Sequence, residues 1–112
     1  MPRVGHSLGD LELLILLALI RLGPDAYGVP IAREIEANAK RSIALGTVYA
    51  VLERLEARGL VGSQLGEATP ERGGRAKRYF QVTAKGLREV QATRQALTAM
   101  WTGIPALEAG EA

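Results

Sequence analysis

Near its N-terminus the chain carries a long run of hydrophobic residues without a polar face. Every position from 13 to 20 is apolar, so a helix over residues 8–22 is hydrophobic all round and needs cover on more than one side. We predict Ser7 or Asp10 as its N-cap, with Gly23 and Pro24 ending it. Because a domain of this size covers one side only, we expect a second subunit to cover the other.

Two further helices follow, each with one apolar and one polar face. The second helix spans residues 27–40, with Pro30 tolerated in its first turn. Its predicted core-facing residues are Gly28, Val29, Ala32, Ile35 and Ala39. The third helix spans residues 44–59, with Gly59 as the residue just past its end. Its predicted inner stripe consists of Val48, Val51, Leu52 and Leu55.

A hairpin and a fourth helix complete the predicted elements. Residues 60–66 and 77–83 have strand character, and the turn-rich segment EATPERGGRA between them predicts a hairpin with a long tip. Thr83 can cap a fourth helix that stops near Gly103 and Pro105. Beyond its end we expect a frayed tail. The apolar seam of this helix consists of Leu87, Val90, Leu97, Trp101 and Ile104.

The composition indicates one domain and excludes several kinds of site. With 112 residues and 47% hydrophobic side chains, the chain can bury one modest core. It has no cysteine, which excludes disulfides and zinc–thiolate sites, and its one histidine, His6, has no second histidine with which to share a metal. The apolar run is shorter than the about 20 residues that span a membrane. We therefore expect a cytoplasmic protein with no metal and no cofactor.

The residues also argue against an enzyme. There is no P-loop and no pair of carboxylates at a recognisable pocket. Glu34 and Glu36 lie two residues apart on a predicted helix, so their side chains do not face each other. We expect a binding protein.

The element order, three helices and then a hairpin, is that of a winged helix-turn-helix with the hairpin as the wing. The predicted fold is mainly α with a small β-hairpin, and its N-terminal and C-terminal helices are available for dimerisation. Four cations of the wing, Arg72, Arg75, Lys77 and Arg78, fall close together although the chain carries a net charge of only +2. Such a tip can lie against a phosphate backbone and release counterions. The alternatives are a solvated charged loop and a surface for an acidic protein partner.

The second helix of a helix-turn-helix enters the major groove with its N-terminal residues at the base edges. Here Thr47 can donate to a base or a phosphate, and Ala50 can touch a thymine methyl group. The Tyr49 hydroxyl either meets a backbone oxygen, or the ring packs half-buried beside the inner stripe. Glu53 either accepts from a cytosine amine or points clear of the DNA. The small outer residues of this helix, which allow a close approach, are Gly46, Ala50 and Ala57.

Four segments, in the same order, resemble the PadR family of bacterial transcriptional regulators. They are DAYGVPIAREI, LGTVYAVLERLEARGLV, ERGGRAKRYFQVTAKG and the fourth helix. The resemblance covers residues 8–101, and the short length is similar to the branch with a single C-terminal helix. It implies a homodimer in which the N-terminal and C-terminal helices of two subunits pack together. Family members are mostly repressors of palindromic operators, and some release DNA in response to a small molecule.

The resemblance also implies roles for individual residues. Thr47 and Tyr49 of the recognition helix and Arg75 and Lys77 of the wing match family positions that contact DNA. One position departs from the family, because Glu53 stands where basic residues are common.

A second departure concerns the C-terminal helix. In some short members a tryptophan of this helix lines a drug-binding pore at the dimer interface. Leu97 stands at the matching position here, and Trp101 lies one turn later. Trp101 either lines a similar pocket or anchors the dimer seam.

The sequence thus predicts a DNA-binding domain over residues 8–82, a dimerisation helix over 83–103, and flexible tails at 1–7 and 104–112. The predicted DNA-binding residues are Gly46, Thr47, Tyr49, Ala50, Arg54, Arg72, Arg75, Lys77 and Arg78. The predicted dimer-interface residues are Leu14, Leu17, Leu87, Val90, Leu97, Trp101 and Ile104. The candidate effector-pocket residues are Leu97 and Trp101. Expected partners are double-stranded DNA, a second copy of the chain and a small-molecule effector, with no membrane.

Overall fold

The computed structural model describes residues 8–66 and 77–109 of the chain. Within these ranges it forms five α-helices and one antiparallel sheet of two strands. In chain order the elements are α1 (Asp10–Leu22), α2 (Gly28–Ala39), α3 (Leu45–Ala57), β1 (Val61–Leu65), β2 (Arg78–Val82), α4 (Ala84–Trp101) and α5 (Pro105–Ala109). A 3-10 turn, Gly23–Asp25, joins α1 to α2.

The core lies where α1, α2 and α3 pack together beside the hairpin. Ile15 and Leu16 of α1 are fully buried, and Phe80 of β2 covers one side of the same cluster. The predicted inner stripe of α3 is confirmed, because all of its residues are buried: Val48, Val51, Leu52 and Leu55. Each such side chain contributes about 1.5–3 kcal/mol by leaving water. None of the described helices, α1 included, is long and apolar enough to cross a membrane.

The start of α1 differs from the prediction. Gly9 is the N-cap and Asp10 is the first helical residue, so neither Ser7 nor Asp10 caps the helix as predicted; Ser7 lies outside the described residues. The Glu12 carboxylate accepts a hydrogen bond from the Gly9 backbone N–H at 2.9 Å. The carboxylate at the third helical position thus accepts from the backbone N–H of the N-cap residue, which has no partner within the helix. This hydrogen bond needs no side chain on the N-cap residue. Gly23 ends the helix as predicted, with a φ of 66° that favours glycine.

The apolar face of α2 is centred on a residue that the predicted set lacks. Ile31 is fully buried, and Ile35, one turn later, is 3% exposed. Val29 and Ala32, both predicted to face the core, are only half-buried. Gly28 and Ile35 are nevertheless buried as predicted, and Ala32 and Ala39 pack against the core. The predicted face is therefore confirmed apart from Val29, and it lacked Ile31.

The hairpin has the predicted strands. β1 and β2 pair antiparallel with Val61 opposite Val82, and the loop between the strands, residues 67–76, lies outside the described residues. The Phe80 N–H donates to the Ala26 carbonyl at 2.9 Å, so the segment before α2 lies along the outer edge of β2. Three packed helices followed by this hairpin form a winged helix-turn-helix, as predicted.

The first turn of α4 rests directly on the start of the hairpin. Thr83 caps the helix as predicted, accepting from the Gly86 N–H at 3.0 Å and donating to the Gly59 carbonyl at 2.7 Å. A Cβ at Gly86 would lie 2.2 Å from the Leu60 carbonyl oxygen. Only glycine therefore allows α4 to pack this closely against the chain entering β1.

The outer half of α4 leaves the core. Val90 is 8% exposed, whereas Trp101, three turns later, is 57% exposed. The chain then turns at Gly103 and forms the short helix α5, so the predicted frayed tail is wrong for residues 105–109. Pro105 at the first helical position favours this start, and the Glu108 carboxylate accepts from the Gly103 N–H at 3.0 Å.

Replacing Gly86 with alanine is expected to destabilise the protein by about 2 kcal/mol, because the new Cβ forces the Leu60 backbone to shift. Urea unfolding followed by far-UV circular dichroism measures this change. Gly46→Ala is the matched control, since a Cβ there meets no atom within 4 Å, and alanine in a helix is neutral or stabilising. Equal unfolding midpoints for the two variants would contradict the close contact.

Candidate nucleic-acid interface

The outer face of α3 is open to solvent along its length. Gly46, Thr47, Ala50 and Glu53 are all exposed. A Cβ built at Gly46 meets nothing within 4 Å, so the first turn of α3 stands clear of the rest of the protein. Small side chains on a protruding helix allow its backbone to come close to a flat or grooved partner.

Tyr49 packs against α2 and still reaches solvent. A Cβ at Gly28 would lie 2.5 Å from both the Cζ atom and the hydroxyl oxygen of Tyr49, so the missing side chain at Gly28 makes room for the ring. The ring centroid lies 6.3 Å from that of Phe80. Tyr49 nevertheless remains 36% exposed. The ring thus packs against α2 while staying exposed, and this contact holds it at the edge of the exposed α3 face.

Arg54 lies close to a carboxylate of α1. Its Nε atom lies 4.0 Å from Glu12 Oε2, and Arg58 Nη1 lies 3.4 Å from the other oxygen of the same carboxylate. Arg54 is still exposed, as is Glu53 beside it. The two charged residues of this turn thus lie at the margin of the α3 face, with Arg54 already beside a carboxylate.

The structure describes two of the four predicted wing cations, Lys77 and Arg78. Arg72 and Arg75 lie outside the described residues. Arg78 Nη1 donates to Ser63 Oγ at 3.0 Å, and that hydroxyl donates to Glu56 Oε2 at 2.8 Å, so Arg78 faces the C-terminal end of α3. Lys77 takes a different direction: its Nζ atom lies 4.3 Å from the centre of the Tyr27 ring.

Two cations outside the predicted DNA-binding set lie just before α3. Lys40 ends α2 with a left-handed φ of 58°, and Arg41 follows it; both are exposed. Arg41 Nη1 donates to Asp10 Oδ2 at 2.9 Å. The signal that could have found them is the adjacent basic pair KR in the turn between the two helices of the helix-turn-helix motif.

The predicted dimer-interface residues divide into two groups. Val90 lies in the core of the protomer and Leu14 is half-buried against it, so neither side chain is freely exposed to a second subunit. The remaining members are exposed: Leu17, Leu87, Leu97, Trp101 and Ile104. Ile20 of α1, outside the predicted set, is 44% exposed as well. A single chain therefore leaves large apolar side chains of α1 and α4 uncovered.

The two candidate effector-pocket residues do not share one hollow. Trp101 lines an open depression of about 350 Å³ between α4 and α5, together with Thr98, Leu107 and Glu108. Leu97 is not among its lining residues. A second hollow, of about 280 Å³, lies between α1 and α2 and is mainly apolar. In residues 8–66 and 77–109 no three metal-binding side chains are grouped as a metal site.

Comparison with known proteins identifies what this arrangement is similar to. The model of the "Transcriptional regulator PadR-like family" matches residues 16–92. No curated protein sequence is similar enough to match.

Solved structures share the fold over most of the chain. A PadR-like transcription factor from Bacteroides fragilis is 27% identical with a TM-score of 0.70, covering 80% of this chain and 82% of its own. A transcriptional regulator from Clostridium thermocellum is 25% identical with a TM-score of 0.67, covering 80% and 82%. A PadR family transcription regulator from Clostridium difficile R20291 is 26% identical with a TM-score of 0.65, covering 82% and 91%.

The ion pair beside α3 yields a pH prediction. A hydrogen bond from the Arg41 guanidinium, and its charge, hold the pKa of Asp10 below its usual 3.8. Because folding lowers this pKa, the pair stabilises the protein above pH 3.8, and the contribution is lost as the pH falls through the folded value. In Arg41→Gln the Asp10 pKa should rise towards 3.8, as measured by NMR titration of its side-chain carboxyl group.

Arg33→Gln is the control for this titration, since Arg33 is an exposed arginine of α2. It removes the same charge from the surface and should leave the Asp10 pKa unchanged. An Asp10 pKa that stays low in Arg41→Gln would contradict the assigned cause.

Proposed function

The chain belongs to the PadR-like family of transcriptional regulators, and we propose that it binds double-stranded DNA in a sequence-specific manner. The proposal rests on one observation: a residue of α3 and a residue of the wing both lie against the start of α2. Tyr49 of α3 lies over Gly28, and Lys77 of the wing lies over the neighbouring Tyr27. One surface thus carries both a protruding helix for a groove and a cation for the adjoining backbone.

In the proposed complex the N-terminal half of α3 enters the major groove. Thr47 and Ala50 meet base edges, and the open backbone at Gly46 allows close docking. The Tyr49 hydroxyl donates to a phosphate oxygen at the groove edge. The cations proposed to follow the phosphates on either side are Arg54, Arg72, Arg75, Lys77 and Arg78.

We propose that the protein acts as a homodimeric repressor on a palindromic operator. Its support is the exposed apolar surface of α1 and α4, which includes Leu17, Ile20, Leu97 and Trp101. Soluble monomers rarely expose contiguous apolar patches of this kind. A two-fold dimer would set two copies of α3 one DNA turn apart, about 34–36 Å. The proposed division is residues 8–82 for DNA and 83–103 for dimerisation.

The proposed effector site is the hollow beside Trp101. Its indole, with Leu107, supplies an apolar wall, and Glu108 supplies a carboxylate. A small molecule held there would act at the dimer seam, and so would change the spacing of the two α3 helices. A regulator of chromosomal DNA works in the cytoplasm, and the proposed protein needs no cofactor.

The first test is a fluorescence-anisotropy titration with duplex DNA from upstream of the protein's own gene, against scrambled duplex, at several salt concentrations. We expect sequence-preferring binding whose log K falls with log salt by about 0.9 for each neutralised phosphate. Tyr49→Phe keeps the ring over Gly28 and removes the hydroxyl, so affinity should fall about three- to tenfold without loss of stability. Arg33→Gln, on the exposed side of α2, is the charge control.

Weak binding that ignores both DNA sequence and salt would overturn the DNA-binding proposal. It would favour the alternative in which the basic wing binds an acidic protein partner. Undiminished affinity in Tyr49→Phe would overturn the role given to the Tyr49 hydroxyl alone.

The dimer has a separate test. Leu97→Glu places a charge in the exposed apolar surface of α4, so we expect a monomer in sedimentation velocity and weaker operator binding. Gln95→Glu places the same charge on another side of the helix, where it should leave the dimer intact. A wild-type monomer at micromolar concentration, or a monomeric Leu97→Glu with full affinity for the operator, would contradict the proposal.

A further inference from the structure

Two tyrosines join the wing to the start of α2. Tyr27 directly precedes α2 and Tyr79 lies on β2; their ring centroids are 5.5 Å apart, in an edge-to-face arrangement at 72°. The backbone next to them is tied as well, because the Phe80 N–H donates to the Ala26 carbonyl at 2.9 Å. Edge-to-face aromatic pairs favour this geometry. Tyr27 is therefore held in one place relative to the hairpin.

Lys77 is fixed at both its backbone and its ammonium group. Its carbonyl accepts from the Gly66 N–H at 2.7 Å, which closes the hairpin just below the tip. A Cβ at Gly66 would lie 2.7 Å from the Tyr79 ring, so only glycine allows this closure beside the aromatic pair. The Lys77 ammonium then lies 4.3 Å from the Tyr27 ring centre, within the range of a cation–π interaction.

Lys77 and Arg78 meet different surroundings although they are neighbours in the chain. The Arg78 guanidinium donates to the Ser63 hydroxyl, which in turn donates to the Glu56 carboxylate. The ion pairs among the described residues engage Arg21, Arg41, Arg54 and Arg58, but not Lys77. The same ion pairs of the described residues do not include Arg78 either. What distinguishes Lys77 is that a neutral aromatic ring holds its ammonium group.

We propose that Tyr27 is a positioning residue for DNA binding: its ring holds the Lys77 ammonium where a backbone phosphate can meet it. The inference rests on the proposed function. A lysine ammonium has three donors, and the ring face occupies one side of it, so the other side stays available to phosphate oxygens. A free lysine side chain loses conformational entropy when it binds. Because the ring already restricts the Lys77 side chain, less entropy is lost when a phosphate binds.

The test is a double-mutant cycle on operator affinity with Tyr27→Leu, Tyr27→Phe and Lys77→Ala. Tyr27→Leu should weaken binding about two- to fivefold, the size of an exposed cation–π interaction, and lower the salt slope towards that of Lys77→Ala. Tyr27→Phe keeps the ring and should retain both the affinity and the slope. In the Lys77→Ala background, Tyr27→Leu should cause no further loss.

An equal loss from Tyr27→Leu with and without Lys77 would overturn the inference, because it would show that the ring only supports the fold. NMR of the wild type gives a readout that needs no variant. The Lys77 Hε protons should be shifted upfield by the Tyr27 ring, and the shift should persist in the DNA complex. Ordinary Hε shifts, or their return to ordinary values on binding duplex, would also overturn it.

The two levels of failure are distinguishable. If the wild type shows no preference for any duplex while the upfield shift is present, the proposed function fails and the positioning role falls with it. If the wild type binds its operator but the cycle is additive, only the role of Tyr27 fails.

Discussion

Burial of α1 on several sides at once is the constraint on which the rest of the structure depends. Ile15 and Leu16 are fully buried in the core that α1 forms with α2, α3 and the hairpin, while Leu17 and Ile20 of the same helix remain exposed. A helix that is apolar all round cannot be satisfied by one layer of neighbours. The same helix therefore organises the core of the protomer and presents the surface that a second copy is proposed to cover.

The sequence predicted the elements whose spacing alone determines their faces. Three features could be predicted because each depends on residues close together in the chain: the inner stripe of α3, the two strands and the Thr83 cap. The predictions failed where the local pattern gives no signal. Gly9 has no side chain that marks it as a cap, and the burial of Ile31 depends on how α2 is rotated against the core.

The candidate site shows the same division. The sequence alone predicts two of its features, the small outer residues of α3 and the cluster of basic residues in the wing. The different surroundings of Lys77 and Arg78 cannot, because one meets Tyr27, fifty positions earlier, and the other meets Ser63 and Glu56. Contacts between residues far apart in the chain decide which partner each of two adjacent cations meets. Periodicity carries no information about such contacts.

The close packing at Gly86 has a mechanical consequence. With no space between its first turn and the Leu60 carbonyl, the start of α4 is held directly against the chain that enters the hairpin. From Gly86 to Trp101 the helix extends about 22 Å at 1.5 Å per residue, so a tilt of about 10° at Gly86 would move the far end by roughly 4 Å. Trp101 lies at that far end. A small change of helix angle beside the wing would therefore become a larger displacement at Trp101.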